Sequence, residues 1–263
     1  MLAGQKGEHD GIWAEHATIH SYDADVARKA TVECLFRYFQ EAAWNHAEHL
    51  GVGYSHLRRR DLAWVLSRMT VVVDTFPEWG QPVVVRTWPR GAKSLLALRD
   101  FELLDESRSK MLGATSGWIV LNLRSRRPQR LESILGSIRT LPERRSVGGD
   151  PERLASIEDA SPPQVFKVHY SDLDLNDHVN NATYARWVLD SYPVEFHRTH
   201  RVRSLSLNFL AELNGDDSAA HSRQQIGELR LAHTIRREID GVEACRAEVL
   251  WHRLASEERD PGK

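Results

Sequence analysis

Cysteine is nearly absent: the 263 residues hold two, Cys34 and Cys245, with no CxxC or HxxxC spacing around either. That scarcity excludes a zinc ribbon, argues against a disulfide framework and fits a reducing compartment. Each thiol is expected to be a small buried apolar group, not a nucleophile. No apolar run reaches the roughly 18 residues of a membrane span, and Met1 to Asp10 holds no apolar signal core. The expectation is a soluble, cytoplasmic chain with no membrane association. Charge of one sign is missing too, since the formal net charge is -2 and the pI lies near 6.7. The chain therefore offers no overall field for nucleic acid or an anionic membrane, and no nucleic acid is expected as a partner.

What is present suffices for one large core or two modest ones, with 41% hydrophobic residues. An internal repeat favours two. Ile19-His20-Ser21-Tyr22-Asp23-Ala24-Asp25 aligns with Val168-His169-Tyr170-Ser171-Asp172-Leu173-Asp174, and continuing without a gap pairs Arg37 with Arg186, Tyr38 with Trp187 and Glu41 with Asp190. The expected division is 1–130, a linker over 131–163, and 164–263. The linker belongs to a wider stretch, Arg124 to Pro163, rich in arginine, proline, glycine and serine and without periodicity.

Each half runs in the same order. In the first, Ala14 to Tyr22 is extended. A helix follows from about Glu33 to Leu50, with Phe36, Phe39, Ala43, Ala47 and Leu50 on one stripe, Thr31 as its cap and Gly51 as its stop. Strands are expected over Leu62–Asp74, Gln81–Trp88, Ser94–Leu104 and Lys110–Leu123, separated by turn signals such as Pro89-Arg90-Gly91. In the second, Phe166–Tyr170 is extended and a helix starts near Asn180 and ends at or kinks at Pro193. Val202–Leu213 is a strand, Asn214-Gly215 a tight hairpin turn, and Gln225–Arg237 and Val242–Arg253 further strands. One long helix followed by strands, without βαβ alternation, predicts α+β architecture: antiparallel sheets wrapped on helices.

The densest chemistry lies in Asp172-Leu173-Asp174-Leu175-Asn176-Asp177-His178-Val179-Asn180-Asn181. If the run is extended, Asp174, Asn176 and His178 share one side, beside helix-start N–H groups suited to an oxyanion. Capping and turns explain any single acid here, but capping needs no histidine at that spacing. In the first copy Ala27 stands at the position of Asn176 and Lys29 at that of His178, so only the second half carries the full set. The shared acids are then candidates for turn geometry. His46 and His49 lack a third ligand at recognisable spacing, and no metal is assigned to them.

Asn45-His46-Ala47-Glu48, Trp64 to Met69 leading to Val72-Val73-Asp74, Pro77-Glu78-Trp79-Gly80, Trp118-Ile119-Val120 and, above all, Ser171 to Asn181 stand out as motifs spread along the sequence. Together they resemble the acyl-acyl carrier protein thioesterases of plastids and bacteria, a double hotdog family, over nearly the whole chain. The resemblance implies an α+β double hotdog and the hydrolysis of fatty acyl-acyl carrier protein to free fatty acid, ending chain elongation. It implies a catalytic acyl-binding pair of halves: strands of the first half holding the chain, with Trp64, Leu66, Met69, Trp88, Leu96 and Trp118 as candidates, and the second half performing the chemistry. The family's catalytic Asp, Asn and His fall on Asp174, Asn176 and His178, and its Glu-Cys strand end falls on Glu212 and Leu213. Leucine cannot supply a thiolate, so a route through water or a carboxylate gains weight. Asp174 either orients His178 or attacks directly. The plastid targeting extension has no counterpart here, which implies a bacterial-type cytosolic enzyme. No cofactor is implied. The implied partner is the carrier protein, for which Arg58, Arg59, Arg60, Arg124, Arg126 and Arg127 are candidate contacts; monomer and homodimer are both compatible. An acyl-CoA thioesterase and a non-catalytic acyl-binding hotdog protein are the competing readings.

Overall fold

The computed structural model describes residues 6–136, 138–157 and 161–255. The chain divides into two units, Met1–Glu152 and Arg153–Lys263. The first contains strands β1 (Lys6–His9) and β2 (Ile12–Thr18), helices α1 (Val32–His49) and α2 (Tyr54–Arg58), strands β3 (Leu62–Val73), β4 (Pro82–Lys93), β5 (Leu96–Leu104) and β6 (Lys110–Asn122), and the short helix α3 (Glu132–Leu135). Its strand order is β1-β2-β4-β5-β6-β3, antiparallel at every pairing. The second contains β7 (Gln164–Lys167), α4 (Asn181–Asp190), α5 (Val194–His197), β8 (His200–Phe209), β9 (Ser218–Gly227), β10 (Arg230–Arg237) and β11 (Glu243–Arg253). Its order is β8-β11-β10-β9-β7, again antiparallel. Each unit sets a helix against an antiparallel sheet, α1 on β2 and β4, α4 on β8. This is the α+β hotdog arrangement that the resemblance implies.

Local chemistry places the helices. Thr31 Oγ1 accepts from Cys34 N at 3.2 Å, and Asn180 Oδ1 accepts from Ala182 N at 2.9 Å, so α1 and α4 each have one of their free N–H groups capped by a side chain. The two caps occupy equivalent places in the repeat. The inward stripe of α1 buries Leu35, Phe36, Phe39 and Ala42, with the Phe39 ring 5.0 Å from that of Phe101 on β5. Each such aromatic contributes about 1.5–3 kcal/mol of hydrophobic stabilisation. Helix α4 covers only ten residues, because Pro193 bars the preceding residue from helical geometry; the second unit's helix is thus not long.

Four details differ from the expectations. First, Pro89-Arg90-Gly91 is no turn: β4 runs on to Lys93 through a bulge between Pro89 and Gly91. Strand β2 stops pairing at Thr87, so the missing N–H of Pro89 faces no ladder, and the turn falls instead at Ser94, with φ of 57°. Second, Gln225–Arg237 is two strands, since β9 ends at Gly227 and β10 starts at Arg230. The small, polar start of β9, Ser218-Ala219-Ala220-His221-Ser222, carries little strand propensity. Third, Asn214-Gly215 is no hairpin: β8 pairs with β11, and β9 with β10 and β7, so 210–217 is a crossing loop. Fourth, much of the supposed linker is integral to the first unit. Leu131 and Ile134 are buried beside Leu57, Leu62 and Val120, and Ser146 N donates to Asp100 Oδ2 at 2.8 Å. Among the described residues no helix is long and apolar enough to cross a membrane.

Candidate active site

The run 174–178 is not extended. Asp174 N donates to His178 O at 2.8 Å and Asp177 N to Asp174 O at 3.1 Å, and Asp177 adopts a positive φ of 62°. Asp174 Oδ1 accepts from Asn176 N at 2.7 Å. This is an Asx-type turn in which the carboxylate replaces a backbone acceptor. The alternation argument for a shared side therefore fails, since the backbone doubles back between Asp174 and His178. Asn176 is exposed at the tip beside Leu175, which is 94% exposed.

Three further bonds fix where the turn stands. Asn180 N donates to Asp172 O and Val179 N to Leu213 O, both at 2.8 Å, and His178 bridges to Asn214. The Asp172 carboxylate, 2% exposed, accepts from His169 N at 2.8 Å and pairs with Arg186. Pairing with the 210–217 loop brings Glu212 to the imidazole: His178 Nε2 lies 3.6 Å from Glu212 Oε2, with both side chains about one-third exposed, 34% and 36%. That is ion-pair distance, longer than a hydrogen bond. Arg237 Nη2 donates to Glu212 O at 2.7 Å, and its Nη1 to Asp240 Oδ2 at 2.8 Å, so a guanidinium pins the loop that carries Glu212. No sequence feature pointed to Arg237; it becomes visible only once β10 runs past the loop. Leu213 is wholly buried.

The first unit contains the same turn. Asp25 N donates to Lys29 O at 2.8 Å, Arg28 N to Asp25 O at 2.9 Å, Thr31 N to Asp23 O at 2.8 Å and Ala30 N to Pro77 O at 2.9 Å. Arg28 takes the positive φ, 61°, and Asp25 Oδ1 accepts from Ala27 N at 2.8 Å and Lys29 N at 3.1 Å. Lys29 bridges to Glu78 and its Nζ lies 2.6 Å from that carboxylate. The matching bonds put Pro77 at the place of Leu213 and Phe76 at that of Glu212. The acids that shape the turn thus recur in both copies, whereas Asn176, His178 and Glu212 become Ala27, Lys29 and Phe76 together. One copy has the scaffold alone; the other has scaffold, imidazole, amide and carboxylate.

Neither cysteine offers a nucleophile. Both are buried and free, and burial pushes the Cys34 thiol up to about 12 and raises that of Cys245 as well. His46 is wholly buried, its Nε2 3.2 Å from Glu8 Oε2 and its Nδ1 3.1 Å from Arg99 Nη1. A guanidinium can only donate, so Nδ1 is the acceptor and Nε2 carries the proton toward Glu8. His49 Nε2 lies 3.5 Å from the same Glu8 oxygen, so Glu8 links the buried His46 to the exposed His49.

Comparison with known proteins matches the acyl-ACP thioesterase N-terminal domain over residues 12–136 and the acyl-ACP thioesterase C-terminal domain over 156–253. The chain is 30% identical to the chloroplastic palmitoyl-acyl carrier protein thioesterase of Gossypium hirsutum, over 91% of the chain and 63% of that relative. It is 28% identical to oleoyl-acyl carrier protein thioesterase 1 of Arabidopsis thaliana, over 94% of the chain and 78% of that relative. The chain thus spans a little under two thirds of the palmitoyl relatives, 63% and 64%. Among solved structures, an acyl-ACP thioesterase from Bacteroides thetaiotaomicron superposes with a TM-score of 0.85 at 25% identity, covering 92% of this chain and 98% of that one. The 12:0-ACP thioesterase from Umbellularia californica gives 0.83 at 26% identity, covering 94% and 100%.

Proposed function

This chain belongs to the acyl-ACP thioesterase family, and from that premise we propose that it hydrolyses the thioester of fatty acyl-acyl carrier protein, releasing the free fatty acid in the cytoplasm. The observation that carries this reading is the pairing of His178 with Glu212, 3.6 Å apart, on a turn whose twin in the first unit has lost both. A thioester asks little of an acid catalyst, because a thiol of pKa about 8.5 leaves readily as thiolate. The burden falls on activating water. In the proposed mechanism His178 takes a proton from the attacking water, Glu212 orients the imidazole, and the Asn176 amide holds the thioester carbonyl as its oxygen becomes an oxyanion. Collapse of the tetrahedral intermediate breaks the C–S bond, and the proton held by His178 passes to the departing sulfur. No cofactor enters these steps, and Leu213 removes any thiolate route at that position.

Asp174 is assigned to the turn, because Asp25 makes the same bonds in a copy without the chemistry. Asp174→Asn keeps an oxygen acceptor for Asn176 N, so turnover should stay within about tenfold of the parent enzyme; a nucleophilic carboxylate would lose about a thousandfold or more. Single-turnover kinetics on that variant decide between the two. The first unit is assigned to the acyl chain and the second to catalysis, in a monomer or homodimer.

Carrier preference is tested by a panel of thioesters sharing one acyl chain. The carrier-bound substrate should exceed the CoA thioester in kcat/KM by at least about tenfold, a difference in transition-state binding of about 1.4 kcal/mol. Equal values would favour a general acyl-CoA thioesterase. Tight acyl binding with no hydrolysis of either would replace the enzyme with a binding module.

A further inference from the structure

Two arginine-rich segments far apart in sequence meet at one end of the first unit. Leu62, which opens β3, pairs with Asn122, which closes β6, and Leu123 N donates to Asp61 O at 2.8 Å. Residues 54–61 therefore leave the sheet beside residues 122–132. Between them these segments carry seven arginines, Arg58, Arg59, Arg60, Arg124, Arg126, Arg127 and Arg130, against two carboxylates, Asp61 and Glu132. All seven are exposed. In a chain of net charge -2 this is a strongly asymmetric surface.

The platform is ordered from beneath. Leu57, Leu131 and Ile134 are buried in one cluster with Leu62 and Val120. The 122–129 loop folds back on β6 through Asn122 N to Arg127 O at 3.0 Å and Gln129 N to Val120 O at 2.8 Å. Asp61 answers Arg124 at 2.7 Å, but among the described residues Arg59, Arg60, Arg127 and Arg130 have no carboxylate partner. Cations carried on an ordered backbone and left without carboxylate partners of their own offer charge complementarity to a partner's carboxylates. Beside them two exposed aromatics, Trp44 on α1 and Tyr54 on α2, stack at 5.2 Å, with the Arg58 guanidinium 5.9 Å from the Tyr54 ring. These rings turn faces toward each other and toward Arg58, which suits a protein surface better than the open stacking platform that single-stranded nucleic acid requires.

We infer that this basic end of the first unit is a docking surface for an acidic protein, namely the carrier that presents the thioester; the inference rests on the proposed thioesterase function. The test is the triple variant Arg59→Glu/Arg60→Glu/Arg127→Glu, with the triple Gln variant as a milder companion. Each is assayed on an acyl-carrier thioester and on the N-acetylcysteamine thioester of the same acid, which has no protein to dock. Binding of the unacylated carrier to the immobilised enzyme is measured in parallel from 50 to 300 mM NaCl, on the order of conditions where surface charge is progressively screened. The expected result is a loss of about 30-fold or more in kcat/KM on the carrier substrate, carried by KM, with a flattened salt dependence and the small thioester unaffected. Carrier turnover and carrier binding within threefold of the parent in both variants would overturn the inference. So would an equal loss on the small thioester, or preference of the parent surface for a single-stranded oligonucleotide over the carrier. A parent enzyme that hydrolyses no thioester would sink the proposed function, while the binding measurement would still decide the docking surface.

Discussion

Replacing His178 with Ala should lower kcat by about 100-fold or more, about 2.7 kcal/mol of transition-state stabilisation, with the thermal midpoint little changed. The side chain is one-third exposed and its contact with Glu212 is an ion-pair distance of 3.6 Å, not a hydrogen bond, so its removal costs little structure. The control is built into the molecule. Lys29 occupies the twin position, bridged to Glu78 as His178 is bridged to Asn214, and Lys29→Ala should leave kcat within about twofold. Glu212→Gln should fall with His178→Ala, and the double variant should lose little more than either alone, because groups acting as one unit are not additive. The same steady-state assay covers the parent and all four variants. An unchanged kcat for His178→Ala with native circular dichroism would remove His178 from the mechanism.

Acidification from pH 7 to 4.5 should destabilise both units and the second more than the first, since each histidine kept neutral only in the folded state costs about 1.4 kcal/mol per pH unit below its free pKa of about 6.5. In the second unit His221 and His233 are buried side by side, Nε2 to Nδ1 at 3.0 Å. Tyr192 OH lies 2.8 Å from His233 Nε2. Burial, with the Arg223 guanidinium adding to it, lowers His221 to about 4; burial, His221 and Arg223 hold His233 well below its usual value. In the first unit burial, followed by Arg99 and His49, lowers His46 to about 3. The sign follows directly: below pH 6.5 the unfolded chain takes up protons that the folded one refuses, so stability present above that pH is lost on the way down. Burial raises Asp190 in the second unit and Asp100 in the first, and both act in the opposite direction. The measurement is therefore a difference: urea midpoints at the two pH values for the parent and for His221→Gln. The variant should lose about one proton's worth of pH dependence, and an identical slope in both proteins would refute the assignment.

The duplicated turn shows how far sequence reading reaches. Ungapped alignment paired Asp25 with Asp174 and Lys29 with His178, and the hydrogen bonds of the two turns agree residue for residue. The same alignment does not pair Phe76 with Glu212, because the two helices and one strand between turn and loop differ in length in the two units. That pairing had to come from the bonds of Ala30 to Pro77 and Val179 to Leu213. Alternation alone does not separate the turn at 174–178 from an extended run, because both accommodate the same short polar residues. Arg237 and the convergence of the two arginine segments left no local signal at all.

Helix starts, most strands of the first unit, the burial of both cysteines and the two-fold repeat were determined by the sequence itself, since caps, side-chain periodicity and hydrophobicity act over a few neighbouring residues. Which carboxylate faces the imidazole, where β4 passes through its proline, and which arginines share a surface were decided only by tertiary structure. Those outcomes depend on strand pairing between segments tens of residues apart, and a ladder's register is a property of two segments that neither carries alone.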